Sequence, residues 1–149
     1  MPQFTMASPV GLLTVTEQDN AITALRFGGT GETPPETPLL QEAYRQLTAY
    51  FAGTLRKFCL PLAPVGTPFQ LAVWQALREI PYGQTRSYGH IAAAIGRPAA
   101  CRAVGMANHV NPIAIVIPCH RVVGKTGALT GYVGGLAAKQ ALLNLEQKK

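Results

Sequence analysis

Two side chains with complementary chemistry stand side by side late in the chain: Cys119 and His120, in the run Ile117-Pro118-Cys119-His120-Arg121-Val122. A cysteine attacks as its thiolate, and an imidazole or positive charge nearby lowers the pKa that sets how much thiolate exists. Neighbours on an extended segment point to opposite faces, so the pair needs a turn to meet, with a water between them. A carboxylate to assist them has only two candidates in residues 67–149, Glu79 and Glu146. An isolated Pro-Cys-His is more commonly a buried, inert thiol. Cys59, between Phe58 and Leu60, reads as core, and Cys101 reads as packing on a helix.

The rest of the composition narrows the setting. Of 149 residues, 48% are apolar and 13% charged, enough to bury a core and too apolar for a disordered chain. Three cysteines without close pairs exclude a disulfide framework and point to a reducing compartment. No apolar run approaches the ~18 residues of a membrane span, and MPQFTMASPV lacks the order of a signal peptide. A soluble cytoplasmic protein with no membrane partner is expected. The net charge of +6 is uneven: residues 1–66 hold four basic against five acidic side chains, residues 67–149 nine against two. A half at +7 beside a half at −1 suits contact with phosphates, and equally suits simple solubility.

The elements that must position these residues follow from pattern. Val10–Thr16 and Ala21–Phe27 alternate apolar and polar around Gln18-Asp19-Asn20, which predicts a hairpin. Leu39–Phe51 has helical spacing, Phe58–Leu60 is a short strand candidate, and Pro61–Pro68 reads as a linker. Thr67 before Pro68 predicts a capped helix whose stripe is Phe69, Val73, Trp74, Leu77 and Ile80. Ser87 caps a short helix through Ile95, Gly96-Arg97-Pro98 breaks it, and a second runs from Ala99 to about His109, the shape of a helix-turn-helix. Ile113–Ile117 reads as a strand closed by Pro118; a Gly-rich loop, Gly124–Gly135, then leads into a helix at Leu136–Gln147. The fold class expected is α+β: an N-terminal α/β half-domain with a small antiparallel sheet over 1–62, and a mostly helical half-domain with the helix-turn-helix over 67–149.

Taken in order, Ser87-Tyr88, Arg102-Ala103-Val104-Gly105, Asn111-Pro112, Pro118-Cys119-His120-Arg121-Val122, Gly131-Tyr132 and Glu146 form a constellation whose spacing resembles the O6-alkylguanine-DNA alkyltransferases. The resemblance covers residues 67–149 nearly without gaps and 1–66 in outline, as that family's ribonuclease-H-like domain. It implies irreversible transfer of an alkyl group from O6 of guanine, or O4 of thymine, to Cys119, once per molecule and with no cofactor. His120 then matches the base acting through a water, Glu146 the carboxylate orienting it, and Asn111 the residue linking strand and helices. Tyr88 matches the tyrosine that stabilises the departing guanine and contacts the flipping phosphate. Arg102 matches the arginine filling the gap in the base stack, on a helix whose small neighbours Ala99, Ala100 and Gly105 allow close approach to the minor groove. Tyr132, Val133, Gly134 and Leu129, with Val122, match the base pocket, and Lys125 a phosphate contact. Double-stranded DNA carrying the lesion is the implied partner, bound by a monomer.

Physics agrees with this pattern. An alkylated O6 is out of reach inside a duplex, so the nucleotide must rotate out at a cost of a few kcal/mol. A thioether, unlike a thioester, has no carbonyl for water to attack, so the thiol does not return. Departures are visible too. Residues 1–66 hold one cysteine and no histidine, so the zinc site of some relatives cannot be built. Val133 stands where some relatives have serine, and Ala114 where some have proline. His90 reads as a half-exposed surface residue and His109 as a phosphate contact or surface residue. Arg121 and Lys139 read as structural or general electrostatic partners. Two other classes remain: an alkyltransferase-like lesion binder without transfer, which in such relatives lacks the cysteine, and a regulatory helix-turn-helix module in which Cys119 is merely buried.

Overall fold

The computed structural model describes residues 2–127 and 129–147. Three strands open it: β1 (Gln3–Met6), β2 (Leu13–Gln18) and β3 (Ala21–Phe27), an antiparallel sheet in that order. The β2–β3 hairpin turns on Asp19 and Asn20 alone, at φ 52° and 63°. Two successive residues with positive φ fit the right-handed twist of paired strands, and Asn and Asp tolerate it best among side-chain-bearing residues. The first strand of that hairpin begins at Leu13 rather than Val10, and β1 had no alternation long enough to be read. Helix α1 (Pro38–Phe51) follows, capped by the Thr37 hydroxyl, and buries Leu40, Ala43, Leu47 and Tyr50.

The second half is helical, as expected. Thr67 and Gln70 form a reciprocal capping box at the start of α2 (Pro68–Arg78). Ser87 caps α3 (Tyr88–Ala94), and α4 (Cys101–His109) crosses both. Helix α4 begins two residues later than the sequence predicts, because Ala100 at its N-cap offers no side-chain acceptor. A single helical turn, Cys119–Arg121, holds the adjacent cysteine and histidine; it runs into β5 (Val122–Val123), which pairs parallel with β4 (Arg86–Ser87). Helix α5 (Leu136–Gln147) closes the chain. The α+β class and the helix-turn-helix stand. Among the described residues no helix is long and apolar enough to cross a membrane.

Two expected strands are absent. Phe58–Leu60 is irregular: its backbone at Cys59 is held by the Gln46 amide, at 2.8 and 3.0 Å, in place of a ladder. Ile113–Ile117 makes one bridge, with Leu25, and then turns, with Ile115 at φ 71°. A β-branched residue in that region is strained. Burial holds it there, since Ile113, Ile115 and Ile117 are each at most 1% exposed. The apolar run predicted a strand because burial and β-branching are common to both; the hydrogen bonds of Asn111 decide otherwise.

One hydrophobic core joins the two halves, running from Phe4, Leu13 and Tyr50 through Trp74 and Val104 to Ile117 and Leu142. The outer edge of β3 is the seam: Ile22 pairs with the segment around Leu62, and Leu25 with the segment Pro112–Ala114. Trp74, buried on α2, donates its indole N–H to the Ala107 carbonyl of α4 at 2.8 Å. Trp74→Phe keeps an aromatic ring but orphans that carbonyl, and is expected to cost about 1–3 kcal/mol plus a packing loss. The urea midpoint should fall with an unchanged m-value; an unchanged midpoint would show that the bond contributes nothing.

Candidate active site

The site is assembled around a short turn. Asn111, just past α4, clamps both ends of the 113–117 turn: its Oδ1 accepts from the Ile113 N–H at 3.0 Å, and its Nδ2 donates to the Ile117 carbonyl at 2.8 Å. The chain then tightens through Pro118 into Cys119-His120-Arg121, where the Cys119 N–H reaches the Ile117 carbonyl at 2.7 Å. This turn buries both the cysteine and the histidine, each at 0% exposure.

Glu146, in the last turn of α5, receives five hydrogen bonds. Its Oε2 accepts from His120 Nε2 at 2.7 Å, from the Tyr50 hydroxyl at 2.6 Å and from Arg121 Nη2 at 3.0 Å. Its Oε1 accepts from Arg121 Nε at 2.8 Å and from the Gly83 N–H at 3.4 Å. Arg121 also donates to the Ile80 carbonyl at 2.7 Å and lies over the Tyr82 ring. Burial disfavours the charged carboxylate, but the hydrogen bonds and charges of His120 and Arg121 prevail and hold its pKa down to about 2. Glu146 is therefore an anion at neutral pH, and it takes the His120 Nε2 proton as a hydrogen bond. Nδ1 is left with the lone pair, buried and without a partner.

Burial also pushes the Cys119 thiol up, against the pull of Asn111, Tyr132 and Lys139, and pushes the His120 imidazole down. The resting pair is thus a neutral thiol beside a neutral base. The Tyr132 hydroxyl lies beside the thiol, although it makes no hydrogen bond of standard geometry. Lys139 is wholly buried; among the described residues its ammonium bonds Thr130, at 3.4 and 3.5 Å. The Thr130 hydroxyl in turn bonds the Tyr88 hydroxyl.

Other expected residues lie further out. Val122 is buried in β5, and Leu129 is partly buried in the loop. Gly134 faces Phe27 so closely that a Cβ would stand 2.7 Å from its ring, so only glycine fits. Val133 is 46% exposed and, with Asn111, Ala114 and Phe27, borders a cavity of about 210 Å³. A cavity of about 730 Å³ is lined by Arg56, Arg78, Pro118 and Arg121 among others, and not by Cys119. Arg102 is exposed on α4 among Ala99, Ala100 and Gly105, and a Cβ on Gly105 would just touch the Tyr88 ring. Lys125, His90 and His109 are exposed. Cys59 and Cys101, expected inside, are exposed as well, because short apolar neighbours do not report which face of a loop or helix they share. Tyr50 and the bidentate grip of Arg121 had no readable signal beyond the position of Arg121 next to His120.

The carboxylate and the imidazole give stability the same pH direction. Glu146 ionises more readily when folded than when unfolded, so its contribution is present above its unfolded pKa of about 4.3 and is lost as pH falls toward 2. His120 resists protonation when folded, so stability also falls as pH drops below its unfolded pKa of about 6.5. Urea midpoints measured from pH 8 to pH 3 should decline in both windows; a flat profile would contradict the buried pair.

This geometry can be set beside known proteins. Residues 68–148 match the family model described as 6-O-methylguanine DNA methyltransferase, DNA binding domain, and residues 3–64 that of the same enzymes' ribonuclease-like domain. The chain is 52% identical to the methylated-DNA–protein-cysteine methyltransferase of Mycolicibacterium paratuberculosis, over 97% of this chain and 91% of the other. It is 50% identical to that of Methanosarcina acetivorans, over 93% and 94%. The solved structure of Mycobacterium tuberculosis OGT in complex with DNA superposes with a TM-score of 0.89 at 51% identity, covering 97% of this chain and 92% of that one. With a buried Cys-His-Glu arrangement and both family models matched in order, the chain belongs to the 6-O-methylguanine DNA methyltransferases.

Proposed function

We propose that this protein repairs double-stranded DNA by moving the alkyl group from O6 of a flipped-out guanine, or O4 of thymine, onto Cys119, once per molecule. The observation that carries the reading is the His120 Nδ1, buried and without a partner, in the residue next to the buried Cys119, with Nε2 tied to Glu146. A buried nitrogen with a free lone pair is where a bridging water would bond. When the alkyl carbon reaches the sulfur, the thiol proton passes through that water to Nδ1 and the Glu146 anion stabilises the imidazolium. Sulfur bonds the carbon as the carbon–O6 bond breaks, and its electrons remain on the guanine. The imidazolium then gives up its proton as a ring nitrogen of the departing base gains one, so His120 returns to neutral and the products are guanine and a neutral thioether. No cofactor enters this balance.

The surrounding residues suit the substrate. Tyr88 would exchange its Thr130 partner for the flipped nucleotide, beside N3 of the base and its phosphate. Arg102, exposed on a helix flanked by Ala99, Ala100 and Gly105, would enter the stack from the minor groove. Lys125 would meet backbone phosphate, as the excess of cations in residues 67–149 favours. Tyr132, Val133, Gly134, Leu129 and Val122 would wall the base. Val133 offers no hydroxyl to O6, so its backbone N–H would serve. Since Cys119 borders neither cavity, the base reaches it by displacing part of the 129–135 loop. Residues 1–62 would act as the domain that braces residues 67–149, and a monomer in the cytoplasm suffices for the chemistry.

Intact-protein mass after incubation with O6-methylguanine duplex should rise by one methylene, located on Cys119. Cys119→Ser should bind the duplex without gaining mass; a gain would place the acceptor elsewhere, and no gain in the unaltered protein would leave a lesion binder. Arg102→Ala should slow repair of duplex about tenfold, a loss equal to part of the few kcal/mol of flipping. Reaction with the free alkylated base should be nearly unchanged, and equal losses on both substrates would remove Arg102 from flipping.

A further inference from the structure

Residues 1–66 contribute one polar atom to the catalytic cluster, the hydroxyl of Tyr50. Its ring is wholly buried on α1, edge-on to Phe51 and Tyr82 and tilted against Phe58, with centroids 5.2, 6.2 and 5.2 Å away. Three aromatic neighbours leave the ring one orientation, and in it the hydroxyl meets Glu146 Oε2 at 2.6 Å, across 96 residues of sequence. Burial and the facing anion push the phenol well above its ordinary range, so this hydroxyl always donates.

The same oxygen, Oε2, is the acceptor for His120 Nε2. Arg121 holds both carboxylate oxygens through two of its nitrogens and would keep the anion in place even if it swivelled. Among the described residues the contacts to this carboxylate closer than 2.8 Å come from Tyr50 and His120, and both fall on Oε2; on Oε1 the Gly83 N–H stands at 3.4 Å. We infer that Tyr50 is a positioning residue of the transfer reaction: from the N-terminal half, its hydroxyl fixes the rotation of the Glu146 carboxylate that sets His120 to take the Cys119 proton. The first half of the chain thereby completes the proton relay as well as bracing the second.

The inference rests on Cys119 being the alkyl acceptor. The charged and titratable groups facing the relay are few: His120 and Arg121 from the helical turn, Tyr50 from α1, and Tyr82 from the loop after α2, with Arg56 over its outer ring. On the sulfur side stand Tyr132 and Lys139. With the Tyr50 hydroxyl gone, the carboxylate swivels under Arg121, His120 loses its fixed acceptor, and the imidazole accepts the thiol proton less readily. Thiol ionisation then moves to higher pH.

The test is the single-turnover rate of methyl transfer from O6-methylguanine duplex, followed by intact mass from pH 5.5 to 9, for the unaltered protein, Tyr50→Phe and Phe58→Leu. Absence of transfer in the unaltered protein would refute the assignment of Cys119 and not reach Tyr50. Given transfer, Tyr50→Phe should react about tenfold more slowly at pH 7, with its pH midpoint raised by about half a unit or more and duplex affinity unchanged. Phe58→Leu loosens the ring's packing but keeps the hydroxyl, and its midpoint should stay in place. An unmoved or lowered midpoint in Tyr50→Phe overturns the inference, as does an equal shift in Phe58→Leu. Should Tyr50→Phe not fold, Tyr50→His, which retains a ring but moves the donor, takes its place: its midpoint should rise in the same direction, and an unmoved or lowered midpoint overturns the inference.

Discussion

A carboxylate buried at the wrong end of a helix organises this protein. Glu146 lies in the last turn of α5, where the helix dipole repels negative charge, and it is cut off from water. Both penalties disfavour the charged form, the dipole by about 0.3–1 kcal/mol and burial by more. Five donors reverse that outcome: the tyrosine hydroxyl of α1, a backbone N–H at Gly83, the imidazole of His120 and two nitrogens of Arg121. These come from widely separated stretches of sequence, so the full set of partners exists only in the folded chain. One of the five crosses from residues 1–66, and the packing of the two halves completes the shell around the anion.

Cys119, the proposed alkyl acceptor, is governed by the opposite strategy. Cys119 sits in a closed, apolar turn that keeps its thiol protonated, with a neutral imidazole at hand. Such a sulfur is protected from adventitious electrophiles and oxidants, which prefer exposed thiolates. A residue that reacts once and does not recover gains most from that protection. Cys59 and Cys101 are exposed and lack comparable machinery around them. What distinguishes the three is environment.

Much of the scaffold was legible because it depends on local rules. Thr67 with Gln70, and Ser87, signal helix starts through hydrogen bonds made within three residues, and the structure has them where the pattern places them. The helix-turn-helix follows from the Ser87 cap and the Gly96-Arg97-Pro98 break, and α5 from its amphipathic pattern. The 113–117 segment was misread because an apolar, β-branched run looks the same whether it lies in a sheet or in a buried turn. Only the side chain of Asn111, bonding Ile113 and Ile117, distinguishes the two. The two-residue pairing of β4 with β5 is too short to leave any alternation.

From the order of its residues alone, the chain determines its reactive groups and its family: a thiol next to an imidazole, a scarcity of carboxylates around them, and motifs at telling separations. Those are properties of covalent neighbours and of counts. Which acid is charged, which imidazole nitrogen carries the proton, and whether the thiol rests as an anion depend on desolvation and on partners up to 96 residues away. Arg121 could be any surface cation until α5 brings Glu146 against it, and Tyr50 any core aromatic until its hydroxyl meets that carboxylate. Tertiary packing decides these because electrostatic strength inside a protein is set by distance and burial, and neither is written in one dimension.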